Sequence, residues 1–250
     1  MNVLLIGATG QLGPHVARAL AKEHHLRITD INPAPDALRA ELKDHEFFEL
    51  DVTDFKAVRR AAEGTEAIIN LSVVRRDRTL AFSVNTLGCY HVMQAAAELG
   101  IRRVINTGPH FTVAGPTYEE LDFAIGPDVP PHPGTGLYPI SKSLGHEICR
   151  LYAEAHDIYV QMYLFYNFVD QSEIEFGRGR VPFVVTWDDA AEVFRRGLAI
   201  DLGHLPSRCE VFFILADVPQ QKFLNDKAKR ILNFHPKHDL TALWRRERPA

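Results

Sequence analysis

The sequence predicts an α/β protein with a doubly wound parallel sheet, covered by helices on both faces, and a small C-terminal lobe. Short apolar runs alternate with amphipathic helical patterns along most of the chain, which is the order that produces parallel strands. The chain has 250 residues, 46% of them hydrophobic, enough for the core of one large domain. A glycine-rich turn joins the first apolar run to the first helix.

This turn predicts a phosphate-binding site. The run over residues 3–6 is apolar throughout, as in a strand buried on both faces, and Gly7, Gly10 and Gly13 follow at three-residue spacing. Gly7 permits a tight turn, Gly10 lets the backbone approach a phosphate, and Gly13 lets the helix pack on the strand. A strand, a glycine turn and a helix in this order place a pyrophosphate at the helix N-terminus. The alternative is a glycine-rich turn that binds nothing.

Asp30 indicates which dinucleotide the turn would bind. It falls at the end of the second predicted strand, 17 residues after Gly13. A carboxylate at this position accepts hydrogen bonds from an adenosine ribose and repels a 2′-phosphate, which favours NAD over NADP. The alternative is a solvated aspartate at a strand end.

The later elements continue the alternation. Apolar runs predict strands over residues 26–31, 47–50, 67–71, 102–108, 159–165 and 210–215. Helical patterns predict helices over residues 55–62, 79–99, 137–156, 190–200 and 220–232. Asp54 is the expected N-cap of the first of these helices, and Gly100 the expected end of the second. The Pro- and Gly-rich segment 109–136 is too long for a simple connection, and long loops of this kind usually carry function.

Tyr138 and Lys142 form a candidate acid–base pair. They are four residues apart in a predicted helix and therefore share one face. A lysine ammonium stabilises a phenolate, and the phenolate can take a proton from a substrate alcohol. The same spacing is common by chance, so its weight depends on the motifs around it.

Taken together, these motifs resemble the extended short-chain dehydrogenase/reductase family, also called the NAD-dependent epimerase/dehydratase family. The resemblance covers nearly the whole chain and implies a Rossmann-type fold, NAD as cofactor, and Tyr138 and Lys142 as the catalytic pair. It also matches Asp51 and Val52 to an adenine contact, and Asn85 to an asparagine motif in a helix. The cofactor contacts that it implies are Gly7, Gly10, Gln11, Leu12, Gly13, Asp30, Asp51, Val52, Leu71, Asn85, Tyr138 and Lys142.

Within that family the approach to Tyr138 is similar to that of uronate dehydrogenases, with two departures. The family usually has a serine just after strand five, whereas this chain has Gly108 or Pro109 there. Thr107 or His110 is expected to position the reacting oxygen instead, unless neither does. Where uronate dehydrogenases have an arginine that grips the sugar carboxylate, this chain has Leu164.

Other residues could compensate for Leu164. Arg178 or Arg180 could bind the substrate from the next loop, or both could be solvated. Asn167 matches an asparagine found at substrate sites of the family, and Phe165, Tyr166, Phe168 and Phe176 could line an apolar pocket. The charged loop over residues 75–78 could touch a substrate anion, although a solvated loop is the more typical interpretation. The short C-terminal lobe favours a small substrate.

Composition narrows the possible partners. A net charge of −4 argues against nucleic acid or an acidic membrane surface, and no apolar run is long enough to span a bilayer. The chain starts with a core strand, so no secretory signal is expected. Three isolated cysteines indicate a cytoplasmic protein. The twelve histidines form no convincing set of ligands with cysteines or carboxylates, so no metal site is expected. A homodimer is expected through the long helices after strands four and five. Cys89, Met93 and Ala96 on one helix and Leu144, Ile148 and Leu151 on the other could supply the faces, although a buried core stripe has the same pattern.

The sequence thus predicts an NAD-dependent oxidoreductase that transfers hydride to or from a small sugar-like or sugar-acid alcohol or hemiacetal. The alternatives are an NAD-retaining sugar epimerase or dehydratase, and a non-catalytic NAD-binding sensor. We expect a single domain over residues 1–250. Residues 1–165 would be mainly the NAD-binding core, and residues 166–250 mainly the substrate lobe and closing elements.

Overall fold

The computed structural model describes residues 1–115, 122–177 and 179–245, and a parallel seven-stranded sheet forms its centre. The strand order is β3-β2-β1-β4-β5-β6-β9, and β7 and β8 form a separate parallel pair. The strands are β1 Asn2–Ile6, β2 His25–Asp30, β3 Glu46–Glu49, β4 Ala67–Asn70, β5 Arg103–Pro109, β6 Tyr159–Phe165, β7 Asn167–Val169, β8 Val184–Thr186 and β9 Cys209–Phe213. The doubly wound, Rossmann-type fold predicted from the sequence is confirmed.

Helices cover both faces of the sheet. They are α1 Gly13–Leu20, α2 Asp36–Glu41, α3 Phe55–Ala62, α4 Arg78–Phe82, α5 Gly88–Leu99, α6 Leu137–Ala155, α7 Trp187–Ala199 and α8 Asp226–Leu232. Residues of α1, α2, α7 and α8 pack into the core on one face, and residues of α3, α5 and α6 into the core on the other. No helix of the described ranges is long and apolar enough to cross a membrane.

Local signals predicted several boundaries correctly. Asp54 caps α3 by accepting hydrogen bonds from the amides of Lys56 and Ala57, and Gly100 ends α5 with a φ of 70°. The predicted helix over residues 79–99 is present, but a π-helical turn, Ser83–Leu87, separates α4 from α5. Asn85 lies in this turn.

Two predictions about the C-terminal half and the helix surfaces are wrong. The last helix begins at Asp226, not at residue 220, because Phe223 instead pairs with Ile125 in an isolated β-bridge. On α5, Cys89, Met93 and Ala96 are at most 1% exposed and belong to the core, so they cannot form a dimer surface. The exposed large apolar side chains of α4, the π-helical turn, α5 and α6 are Leu80, Phe82, Leu87, Tyr90, Leu144 and Leu151.

The register of the sheet brings three strand ends together. Ile6 of β1 pairs with Asn70 of β4, which in turn pairs with Asn106 of β5. The residues that follow these three are Gly7, Leu71 and Thr107. They therefore emerge side by side at the carboxyl edge of the sheet, where ligands bind in open α/β folds.

Candidate active site

A cavity of about 580 Å³ lies at this edge of the sheet. The glycine turn borders one part of it, and the N-terminal turns of α6 border another. The segment after β6 supplies aromatic side chains. Its lining residues are Gly7, Gly10, Gln11, Leu12, Gly13, Leu71, Val73, Arg75, Thr107, Gly108, Pro109, Phe111, Tyr138, Lys142, Phe165, Tyr166 and Phe168.

The glycine turn has the shape that a pyrophosphate requires. Gly7 has a φ of +79°, and a Cβ there would lie 2.7 Å from the Ser72 amide nitrogen. A Cβ on Gly13 would lie 2.2 Å from the Ala8 carbonyl oxygen, so only glycine lets α1 approach this closely. No side chain caps the N-terminus of α1, which leaves its first amides available to an anion. The turn therefore fits the phosphates of NAD.

The Asp30 carboxylate is hydrogen-bonded to the glycine turn but is not among the residues that line the cavity. One oxygen of its carboxylate accepts a hydrogen bond from the Thr9 amide at 3.0 Å, and the other from the Asn32 amide at 3.1 Å. These bonds fix the carboxylate beside the glycine turn, and each oxygen keeps capacity to accept another hydrogen bond. These two acceptor oxygens suit the hydroxyl donors of an adenosine ribose diol.

The predicted adenine contacts lie outside the lining of the cavity. Asp51 accepts hydrogen bonds from the amide and hydroxyl of Thr53, both at 2.8 Å. Val52 is buried and packs against Gly88, where a Cβ would come within 2.8 Å of a Val52 methyl carbon. Both residues follow β3. Because neither lines the cavity, contact of either residue with adenine stays a prediction.

Lys142 is buried and ties α6 to two strand ends. Its ammonium donates to the Ser72 carbonyl at 2.8 Å and to the Thr107 carbonyl at 3.0 Å. Since an ammonium has three N–H donors, these two bonds leave one for a ligand or for Tyr138. Burial lowers the pKa of Lys142 from its usual value.

Tyr138 borders the cavity one helical turn before Lys142, and Arg75 lies against it. The guanidinium carbon of Arg75 is 5.4 Å from the centre of the Tyr138 ring. Burial raises the pKa of Tyr138, and the charge and hydrogen-bonding contact of Arg75 oppose that rise. The sequence predicted the tyrosine and the lysine, but favoured a solvated loop for Arg75. The place of the Arg75 side chain in the cavity depends on the fold of the loop after β4.

Asn85 shapes that loop. Its side-chain oxygen accepts from the Val74 amide at 3.0 Å, and its side-chain nitrogen donates to the Val74 carbonyl at 2.7 Å. The same nitrogen donates to the Ser141 hydroxyl at 3.0 Å. Asn85 is fully buried and does not line the cavity. Its direct contact with the cofactor stays a prediction, whereas its hold on the loop and on α6 is observed.

Gly108, one of the two residues that could occupy the position of the family's usual serine, is closed to a side chain by His146. A Cβ on Gly108 would lie 2.6 Å from Cε1 and 2.7 Å from Nε2 of the His146 ring. His146 is buried, its Nε2 has no hydrogen-bond partner within the described part of the chain, and burial lowers its pKa to about 3. Sequence reasoning missed this contact, because it joins the buried face of α6 to a residue near the end of β5.

The two candidates for the missing serine are in different surroundings. Thr107 lines the cavity and its hydroxyl donates to the Asn70 carbonyl at 3.1 Å. His110 is 3% exposed and lies behind the cavity wall in an aromatic cluster, with ring centres 4.6 Å from Phe183 and 4.8 Å from Tyr166. Burial lowers the pKa of His110 to about 3, which makes the ring neutral. A role for either residue toward substrate stays a prediction.

The expected substrate residues are only partly brought together. Phe165, Tyr166 and Phe168 line the cavity, whereas Phe176 is 58% exposed and does not. Asn167 lies in β7 between two lining residues without lining the cavity itself. Its contact with substrate therefore stays a prediction.

Neither of the arginines expected to compensate for Leu164 lines the cavity in the described part of the chain. Arg180 pairs with Glu173 at 3.5 Å and does not line the cavity, and Arg178 lies outside the described residues. Leu164, at the position of the missing arginine, is fully buried. Over residues 1–115, 122–177 and 179–245, no group of three or more His, Cys, Asp or Glu side chains is arranged to hold a metal ion.

Comparison with known proteins identifies the family. The sequence profile of the NAD dependent epimerase/dehydratase family matches residues 3–170. The chain is 26% identical to the NAD-dependent glucose-6-phosphate dehydrogenase of Haloferax volcanii, over 94% of this chain and 92% of that protein. It is 28% identical to the uronate dehydrogenase of Pseudomonas syringae pv. tomato, over 81% of this chain and 72% of that protein. The fold matches a mutant uronate dehydrogenase from Agrobacterium tumefaciens complexed with NAD, with a TM-score of 0.77, 21% identity, and coverage of 96% and 85% of the two chains. This chain belongs to the NAD-dependent epimerase/dehydratase family.

Proposed function

We propose that this protein is an NAD-dependent oxidoreductase that transfers hydride to or from an alcohol or hemiacetal of a small sugar-like or sugar-acid molecule. The observation that carries the proposal is that the glycine turn, Tyr138 and Lys142 border one cavity. Two relatives, by their names, act on glucose 6-phosphate and on uronates, which are anionic sugars. Their similarity supports a dehydrogenase of this substrate class.

In the direction of oxidation, Tyr138 takes the proton of the substrate hydroxyl. Bound NAD would supply the acceptor for the hydride that leaves the same carbon. Lys142 is fixed by the Ser72 and Thr107 carbonyls, and its remaining N–H serves the phenolate or the nicotinamide ribose. The Arg75 charge favours the phenolate form of Tyr138. The Thr107 hydroxyl donates to the Asn70 carbonyl, so it would have to turn from that carbonyl to donate a hydrogen bond to the reacting oxygen, whose proton goes to Tyr138.

A screen of NADH formation tests the proposal. Purified protein with NAD is offered neutral sugars, uronic acids, sugar phosphates and small hydroxy acids, and NADH is followed by absorbance. Net NADH release with one class, abolished by Tyr138→Phe, is the expected result. NADH release that persists in Tyr138→Phe would contradict the mechanism.

The family also contains epimerases and dehydratases, and its name makes an NAD-retaining isomerisation the second candidate. Such an enzyme oxidises its substrate transiently and returns the hydride, so product forms without net NADH. Protein that purifies with stoichiometric NAD and changes its substrate without NADH release would favour this candidate. NAD binding without turnover in either assay would favour the third candidate, a non-catalytic NAD-binding sensor. That candidate is suggested by Gly108 in place of the serine.

The C-terminal part, residues 166–250, is proposed to shape the substrate side. Tyr166 and Phe168 come from it, whereas β9 and α7 of the same part complete the main sheet and its helix layer. We keep the division at residue 165 as a proposal about function within one domain. The free thiols of Cys89, Cys149 and Cys209 support a reducing cytoplasm.

A homodimer is proposed through the outer faces of the helices from α4 to α6. Leu87 and Tyr90 are 44% and 43% exposed there, and Leu144 and Leu151 of α6 are 44% and 49% exposed. Apolar side chains exposed together on neighbouring helices are typical of an interface. Light scattering on the eluted protein should give twice the mass of one chain. Leu144→Asp should reduce the measured mass to that of one chain. A wild-type protein that already has the mass of one chain would contradict the proposal.

A further inference from the structure

Arg75 brings a positive charge into the cavity beside Tyr138. It lines the cavity, with its guanidinium carbon 5.4 Å from the centre of the Tyr138 ring. In the three described ranges, no carboxylate lies within ion-pair distance of Arg75. A cation that borders a substrate cavity without a carboxylate partner is available to an anionic ligand.

The backbone on both sides of Arg75 is held in place. Val74, just before it, is bound through its amide and its carbonyl by the Asn85 side chain. Asp77, two residues after it, caps α4 by accepting a hydrogen bond from the Leu80 amide at 2.7 Å. Arg75 therefore extends from a short loop with two fixed points, which reduces the entropy lost when its guanidinium binds a ligand.

The other candidate cations are already engaged or lie elsewhere. Lys142 donates two hydrogen bonds to main-chain carbonyls. Arg180 is paired with Glu173. Leu164, at the position of the carboxylate-binding arginine of related enzymes, is buried and apolar. Of the described residues that line the cavity, Arg75 is thus the cation left to recognise a substrate anion.

We propose that Arg75 binds an anionic group of the substrate, a carboxylate or a phosphate, and so holds the reacting carbon beside Tyr138. A planar guanidinium suits both groups because it donates two parallel hydrogen bonds to their oxygens. Since the guanidinium lies against the ring of the acid–base residue, the anion and the reacting carbon must belong to one small molecule. This inference rests on the proposed function and assigns its specificity to the loop after β4.

Three sugars with one scaffold test the assignment: glucose, glucuronate and glucose 6-phosphate. We expect wild-type protein to prefer one or both anionic sugars over glucose. Arg75→Met should raise KM for a preferred anionic sugar about thirtyfold or more, the change produced by losing a charge-assisted contact of about 2 kcal/mol. Arg75→Lys should restore part of the loss, more for phosphate than for a carboxylate held by two parallel bonds. The separate response to each anion distinguishes the two groups.

Arg76→Met is the matched control, because Arg76 is an exposed arginine of the same loop that does not line the cavity. It should leave KM for all three sugars unchanged. Arg75 also acts on Tyr138, so Arg75→Met will lower kcat for every sugar that is turned over. A loss shared equally by glucose and the anionic sugars would overturn the assignment and leave the proposed oxidoreductase standing.

A binding measurement keeps the inference separate from turnover. Calorimetric titration of the NADH-loaded protein with glucuronate and with glucose 6-phosphate should show binding in wild-type protein and in Arg76→Met, and none in Arg75→Met. If these anions bind through Arg75 but no hydride is transferred, the proposed function fails and the assignment survives. Equal binding by wild-type protein and Arg75→Met, or no binding by either, would overturn the assignment.

Discussion

Replacing His110 with phenylalanine should make the protein less sensitive to acid. His110 lies among four aromatic rings, and its Nδ1 has no hydrogen-bond partner in the described part of the chain. Burial, with a smaller effect from the Lys222 charge, lowers its pKa from 6.5 to about 3. The folded protein therefore holds this ring neutral at a pH where the unfolded chain protonates it.

The size of the effect follows from proton linkage. Between pH 6.5 and about 3 the unfolded state binds one more proton at this residue, so the free energy of unfolding falls as the pH falls. A group with an unfolded pKa of 6.5 costs about 2 kcal/mol of stability between pH 7 and pH 5. His110→Phe removes this cost, and filling the same space with an apolar ring leaves no unpaired nitrogen behind.

Urea unfolding at pH 7 and at pH 5 measures the difference. His110→Phe should lose about 2 kcal/mol less than wild-type protein between the two values. His204→Phe, at an exposed histidine, is the control and should behave as wild type. If wild type and His110→Phe lose the same stability, the ring is not held neutral in the core. His110 would then regain its place as a candidate donor to the substrate oxygen.

Three further changes test the site. Tyr138→Phe should lower kcat by roughly a hundredfold to ten-thousandfold, because it removes the proton acceptor, while NAD binding measured by titration stays nearly unchanged. Asp30→Ala should weaken NAD binding relative to NADP, because the carboxylate that excludes a 2′-phosphate is gone; unaltered relative affinities would refute its role. Gly108→Ser should destabilise the protein by about 1–3 kcal/mol through its clash with His146. In urea unfolding, the double variant with His146→Ala should recover part of the stability lost in Gly108→Ser. If the stability losses of the two single variants simply add, the clash between these residues is refuted.

The sequence predicted best those element boundaries that depend on residues close together in the chain. The bounds of α3 and β6 agree with the prediction at both ends, because local signals mark both elements. Asp54 caps the start of α3, and β6 is a run of apolar and aromatic residues interrupted by Gln161 alone. The start of α8 was missed because it depends on distant partners. The Asn225 side chain donates to the Leu215 carbonyl at 2.8 Å, which holds the chain before α8 outside the helix.

The same division applies to the candidate site. The glycine turn and the pair of Tyr138 and Lys142 could be predicted, since each is a spacing within one element or turn. Arg75 could not be placed, because its side chain meets Tyr138 only after the loop following β4 has packed beside α6. His146 could not be predicted for a related reason: its ring meets Gly108 across the contact between a helix and a strand.

The contact between His146 and Gly108 changes the meaning of the missing serine. A glycine in a catalytic position, taken alone, suggests lost activity. Here the space that its side chain would need is filled by a buried ring, so residue 108 is constrained by packing. The neighbouring Thr107 still presents a hydroxyl at the cavity, and Arg75 supplies a charge that favours the phenolate of Tyr138. Absence of the serine therefore does not remove the means of proton transfer, and the rate of Tyr138→Phe relative to wild type decides whether they are used.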